Sequence, residues 1–367
     1  MPAISRNRFI SSTIGAMAVL PLRAYAQVRP APPLARVNVN AARVIRTVVG
    51  LRPFRRHGFV LRAEAFGNKS IVHNYGHGGG GFSLSWDCAT LAADLLAARS
   101  PGRAAVIGCG VIGLSTARVL QDRGWEVTIY ASSVPPNTTS NIAGAQWTPT
   151  VVFASQDATS EFLETFRRAA RIANRAFQLM AGPTYGVLWI DNYAVKHAAT
   201  ERDELDYAVS AGIEDLYEDI ETIGPATTPF AVPLVRRFTT MLIEPNTYLP
   251  AVMRDFLLRG GKIEVRTFAT LRQMHDLEEQ VVFNCTGLGA RVLCNDDELV
   301  PVRGQLTVLE PQADVDYIYL ANGLYMFPRN DGIVLGGTFD RGDWSLEVDP
   351  AQQARILAGH ATIYRSS

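Results

Sequence analysis

Hydrophobic periodicity changes twice in this chain in the same way, from strand to glycine turn to helix. Arg103-Ala-Ala-Val-Ile107 is a short apolar run suited to a buried strand. From Ile112 to Arg123 the apolar positions recur at helical spacing, and Gly124 supplies a stop. Trp125-Glu-Val-Thr-Ile-Tyr130 then alternates as a second strand, so the stretch predicts a βαβ opening unit. Upstream, Lys69-Ser-Ile-Val-His73 reads as a strand and Phe82 to Leu96 as a helix, with a glycine-rich turn between them.

The two turns carry candidate chemistry. Gly108-Cys-Gly110-Val111-Ile112-Gly113 has dinucleotide-fingerprint spacing. Gly108 permits the tight turn, Gly110 lets backbone approach a pyrophosphate, and Gly113 allows close helix packing. The helix N-terminus then stabilises the anionic phosphates. Alone the spacing is a weak signal; its strand and helix flanks strengthen it. In the second turn, His73-Asn-Tyr-Gly-His-Gly-Gly-Gly-Gly81, successive backbone N–H groups can face an electron-rich partner, whereas composition alone allows an exposed loop. The acid expected after the second strand, for a ribose hydroxyl, is replaced by Ala131-Ser132-Ser133. A serine hydroxyl or backbone group can substitute, and the fingerprint does not separate FAD from NAD.

At 367 residues and 47% hydrophobic content, the chain can bury a large core in two intimately connected domains. Zero formal net charge and the lack of an extended Lys/Arg run argue against a nucleic-acid partner and for small-molecule chemistry. Residues 1–26 read as an export signal: Arg6 and Arg8, an apolar stretch from Phe9 to Leu22, and Ala24-Tyr25-Ala26 as cleavage site. That stretch is too short for a stable membrane span. Ser5-Arg-Asn-Arg-Phe9 approximates a twin-arginine signal with Asn7 in place of the second arginine, which predicts a periplasmic or secreted protein. A Pro-rich linker follows at 27–36. Cys109 and Cys285 read as small core residues, Cys88 and Cys294 need not pair, and no metal spacing is present.

Eight pieces of the chain, the two turns among them, share one resemblance. Ala104 to Arg118 resembles the first strand, turn and helix of the D-amino-acid oxidase family, and Asn137 to Trp147 its next flavin-binding stretch. Phe283-Asn-Cys-Thr-Gly-Leu-Gly289, Pro301-Val-Arg-Gly-Gln305, Tyr325-Met-Phe-Pro328 and Gly336 to Trp344 follow in family order. The family would continue with Gly50-Leu-Arg-Pro53 and the glycine block, which here precede the fingerprint. The chain therefore resembles a circularly permuted member, with Leu95 to Gly102 joining the former termini.

The resemblance implies an α/β fold: a Rossmann-like FAD-binding domain with an interleaved antiparallel-sheet substrate domain. Residues 101–150, 264–305 and 69–98 would build the first. Residues 151–263, 306–340 and 37–66 would build the second, and 341–367 a C-terminal helix. Arg52 would grip the substrate carboxylate through its guanidinium fork, helped by the Tyr325 hydroxyl, with Gly79 as a further catalytic-site residue and Arg55 and Arg56 facing solvent. Cofactor contacts are expected from Gly108, Gly110, Val111, Ile112, Gly113, Thr138, Thr139, Ser140, Gly144, Ala145 and Gln146. Gly78, Gly80, Gly81, Phe82 and Ser83 would reach the pyrimidine end of the flavin.

Two departures bear on the substrate. Ala321 stands where members often have a second active-site tyrosine, which implies a small lid or none, and Thr148 stands where some have glutamine. The implied reaction is oxidative deamination of a D-amino acid, with FAD as cofactor and oxygen or another acceptor as partner. One alternative is an amine oxidase or dehydrogenase for glycine-type or secondary amines with a non-oxygen acceptor. Another is an exported binding protein without flavin.

Overall fold

The computed structural model describes residues 34–198, 200–224 and 228–364. The expected signal and most of the linker lie outside these residues.

Two sheets organise the described chain, with strands numbered along the sequence. The six-stranded sheet runs β2 (Val60–Phe66), β3 (Lys69–Tyr75), β10 (Val281–Asn284), β4 (Arg103–Ile107), β5 (Glu126–Ala131), β9 (Lys262–Val265). Its neighbours are parallel except β2, which is antiparallel to β3. The nine-stranded sheet runs β1 (Val44–Phe54), β11 (Val300–Leu309), β14 (Gly332–Gly336), β13 (Leu324–Arg329), β12 (Tyr317–Ala321), β6 (Val187–Lys196), β8 (Leu234–Ile243), β7 (Glu218–Ile223). Strand β15 (Asp340–Arg341) adds to β11. This sheet is antiparallel apart from the β12–β6 pair.

Helices α1 (Gly81–Asp94), α2 (Val111–Asp122), α4 (Ser160–Leu179) and α6 (Pro245–Leu258) pack together over the six-stranded sheet. Alternation in the strands assigns the faces: Val72, Val106 and Phe283 point toward the helices, while Ile71, Ala105 and Val282 join Phe268 and Met274 on the other side. Each such fully buried side chain stabilises the fold by about 1.5–3 kcal/mol. Small residues permit close approach of the first two helices, Ala89, Ala92 and Ala93 in α1 and Gly113 and Ala117 in α2. In α4, Phe166, Ala169, Ala170, Ala173 and Phe177 form the buried stripe, and the Thr159 hydroxyl accepts from the Phe162 N–H at its start. The shorter helices are α3 (Thr139–Ile142), α5 (Glu204–Ala211) and α7 (Ala290–Leu293), while α8 (Pro350–Ala361) covers the nine-stranded sheet through Ile356.

Several boundaries differ from expectation. Residues 44–94 are built into both sheets. Strand β1 joins the nine-stranded one, whereas β2 joins the six-stranded one instead of the antiparallel sheet expected for 37–66. Strand β11 belongs to the nine-stranded sheet from Val300, although 264–305 was assigned to the nucleotide-binding half. Helices α4 and α6, within 151–263, lie over the six-stranded sheet. Gly50 to Pro53, whose local composition suggests a basic turn, is continuous strand.

Candidate active site

A cavity of about 1270 Å³ opens at the carboxyl ends of β3, β4, β5 and β10 and reaches the nine-stranded sheet. The end of a parallel sheet is where a doubly wound fold binds ligands. The N-termini of α1 and α2 both face it, and the residue preceding each helix is a glycine, which offers no capping side chain of its own. The Ser140 hydroxyl accepts from the Val111 N–H at 3.0 Å.

The expected cofactor residues gather on this cavity with three exceptions. Gly108, Gly110, Val111, Ile112, Thr138, Thr139, Ser140, Gly144, Ala145, Gln146, Gly78, Gly81 and Phe82 line it, together with Gly79. Gly113 lies behind the wall, where any Cβ would overlap the Gly108 carbonyl; its role is packing. Gly80 packs at Val152. Ser83 is buried and its hydroxyl accepts from the Thr148 N–H, so it braces the wall instead of facing the cavity. Gly78 sits at φ +55°, and a Cβ there would overlap the Val151 carbonyl oxygen. The turn therefore needs glycine for both conformation and space.

Where the nine-stranded sheet borders the cavity, Arg52 on β1 and Tyr325 on β13 meet. The Arg52 Nη2 donates to the Tyr325 hydroxyl at 3.0 Å, while Nη1 is buried without a partner. An unpaired buried guanidinium nitrogen is costly unless an anion completes it. Glycines shape the surroundings: a Cβ on Gly304 would lie 2.5 Å from Arg52 Nη1, and Cβ atoms on Gly336 or Gly337 would strike the Tyr325 ring. Their signal was available in the sequence as glycines inside otherwise apolar strands. The loop Cys285 to Gly289 and the Arg266 to Ala269 segment also line the cavity, as do Ser132 and Ser133. Sequence reasoning did not place the first two segments in the site. A glycine-rich turn after β10 was the clue to the first.

His77 stacks on Phe59 with ring centroids 5.0 Å apart, and its Nε2 is buried without a partner. Burial drives its pKa down to about 3, leaving a neutral imidazole on the cavity wall.

Two expectations are corrected. Arg55 is largely buried, in ion pairs with Asp296 at 2.8 Å and Glu298 at 2.5 Å, whereas Arg56 is exposed. Ala321 does not face the cavity: it is buried in the apolar cluster of the opposite sheet face. The tight Asn322-Gly323 turn pairs Ala321 with Leu324 and Leu320 with Tyr325, so Leu320 is the cavity neighbour of the tyrosine.

Two helix N-termini that open from glycines, a glycine-cradled turn and an unpaired guanidinium on one cavity fit a flavin dinucleotide beside a small carboxylate substrate. These features define a flavin-dependent oxidoreductase. A family model described as FAD dependent oxidoreductase, DAO, matches residues 103–365. Over 261 residues the chain is 32% identical to a D-amino-acid oxidase of Streptomyces coelicolor, covering 70% of this chain and 76% of that one. It is 31% identical over 263 residues to a human D-aspartate oxidase, covering 70% and 74%. Among solved structures, glycine oxidase from Geobacillus kaustophilus superposes with a TM-score of 0.56 at 17% identity, over 71% of this chain and 78% of that one. The chain belongs to the DAO family of FAD-dependent oxidoreductases, and FAD is its cofactor. The six-stranded sheet with α2 would hold the dinucleotide, and the Gly78–Gly81 turn would hold the ring.

Among the described residues no helix is long and apolar enough to cross a membrane.

Proposed function

We propose that this enzyme oxidatively deaminates a D-amino acid to a 2-oxo acid. The observation that carries the reading is the Arg52 and Tyr325 pair, with an unsatisfied guanidinium nitrogen on the cavity that both glycine turns line. Relatives named D-amino-acid oxidase and D-aspartate oxidase support the chirality. Arg52 and the Tyr325 hydroxyl hold the α-carboxylate and so fix which face of Cα is presented. Bound FAD supplies the acceptor for the Cα hydride and passes the electron pair to oxygen, giving hydrogen peroxide. The resulting imino acid adds water and releases ammonia without a protein base. The chain's contribution is orientation, which can lower a barrier by several kcal/mol.

The test is anaerobic mixing of the purified holoenzyme with D- and L-amino acids, glycine and sarcosine while flavin absorbance is followed. Bleaching by D-amino acids is expected, followed by peroxide formation when oxygen is admitted. Bleaching by L-amino acids alone, or by glycine and sarcosine alone, would sink the reading.

The chain order supports a second element of the proposal, a circular permutation of the family fold. The family model begins at residue 103, yet Arg52, β3 and α1 lie upstream of it. Export is proposed on the N-terminal pattern alone. A periplasmic protein beginning at Gln27 is the expected result of N-terminal sequencing, and a cytoplasmic protein retaining residues 1–26 would refute it.

A further inference from the structure

Beyond the carboxylate clamp, one further stretch of the cavity wall is left to account for. Thr148, Thr150 and Val151 line it beside Glu204, the first residue of α5. The route from the clamp is continuous. A Cβ on Gly79 would lie 3.8 Å from Arg52 Cδ and 2.9 Å from the Thr150 carbonyl oxygen, and the Gly79 N–H donates to the Val151 carbonyl at 3.0 Å. Thr148, two residues before Thr150, lies against the Tyr217 phenol, and that phenol feels the Glu204 charge.

Glu204 is the odd carboxylate in its corner. The two cations nearby are already engaged: Lys196 of β6 pairs with Asp203 and Asp206, and Arg236 of β8 pairs with the same two acids. No ion pair reaches Glu204 among the described residues, and only its own backbone N–H hydrogen-bonds it. Around it, the Tyr207 hydroxyl is buried without a partner, and the Thr148 and Tyr217 hydroxyls have only each other. By contrast, Asp340, another carboxylate on the cavity, is paired with Arg303. An unpaired acid opening on a ligand cavity, with the unpartnered Tyr207 hydroxyl beside it, fits a cationic ligand group.

Building on the D-amino-acid reading, we propose that Glu204 receives the cationic end of the substrate side chain, so that the preferred substrates are long basic D-amino acids. With its carboxylate at Arg52, a substrate must extend past the Thr148 to Val151 backbone to reach this acid. Short side chains do not make that reach, and acidic ones meet repulsion.

A pH dependence follows from the surroundings. Burial, helped by the charges of Asp203 and Asp206, pushes the Glu204 pKa up to about 7 against the opposing pull of its own backbone N–H and Arg236. Asp206 is held low, at about 2, and stays ionised across this range. A lysine-type ammonium keeps its charge to about pH 10. Preference for a basic side chain is therefore weak below about pH 6, where Glu204 is protonated, and grows as pH rises through 7.

The experiment measures kcat/KM of the holoenzyme for D-lysine and D-norleucine from pH 5.5 to 9, in the wild type and in Glu204→Gln. The readout is the ratio of the two substrates within each protein. In the wild type the D-lysine to D-norleucine ratio should rise by about tenfold across the range, as expected for gaining a charge-assisted contact. In Glu204→Gln it should be low and flat. A flat wild-type ratio overturns the proposal without any variant, as does a Glu204→Gln ratio equal to the wild type's. Should D-norleucine bleach the flavin while D-lysine shows no advantage, the side-chain assignment falls alone. If no D-amino acid bleaches it, the D-amino-acid reading falls and takes this inference with it.

Discussion

Arg52→Ala should lower kcat/KM by about two to three orders of magnitude while the flavin spectrum stays close to wild type. The guanidinium comes from the nine-stranded sheet, whereas the fingerprint turn follows β4 of the six-stranded one; one of its nitrogens is on the Tyr325 hydroxyl and the other is unpartnered. Losing a charge-assisted fork to a carboxylate costs on the order of 3–4 kcal/mol when both bonds are made in the transition state. The neighbouring arginine provides the contrast. Arg55, the residue after β1, pairs with the Asp296 and Glu298 carboxylates, and the Tyr75 hydroxyl shares Asp296 at 2.9 Å. Arg55→Ala should therefore lower the melting temperature more than the turnover of folded enzyme. Steady-state kinetics and thermal unfolding of the two variants separate these roles, and equal kinetic losses would remove the case for a clamp at Arg52.

The contrast shows what the sequence could and could not reveal. The fingerprint was legible because a buried strand, a helix and an alternating strand have different periods, and the glycines fall where the period changes. Arg52 and Arg55 lie three residues apart in one basic stretch, and local composition does not distinguish them. Their roles depend on β1 pairing with β11, which puts Arg52 over Gly304 and opposite Val302. That pairing joins residues some 250 positions apart, beyond any local pattern.

Ala321 failed for a related reason. Counting four residues back from Tyr325 ignores the hairpin, whose two-residue turn sets a register in which Leu320 faces the tyrosine. A one-residue change of parity moves a side chain to the other face of a sheet. The reading of a small lid or none therefore rests on the two-residue Asn322-Gly323 turn and not on the Ala321 side chain. Glu204 carried no signal at all: one acid among several in Glu201 to Asp206, it stands out only once Lys196 and Arg236 are seen to engage its neighbours.

The rearranged gene should give the other large effect. Residues 99–367 alone lack β1, β3 and α1, and with them Arg52 and the glycine turn, so this fragment should not retain flavin. Placing residues 37–98 after Ser367, through a short flexible linker, should restore both flavin and turnover. The new junction joins parts already in contact: the Val37 N–H donates to the Tyr364 hydroxyl at 3.3 Å, and Val37 shares an apolar cluster with Ile363. The new opening falls in the exposed turn after α1, where Leu95 is 44% exposed and Arg99 and Ser100 lie at the surface. Ends that lie together at a surface can be moved at little cost in stability. Flavin content by absorbance and kcat on a common substrate compare the three proteins. A rearranged chain that folds but binds no flavin would mean that the order of segments, and not only their packing, is needed to assemble the site.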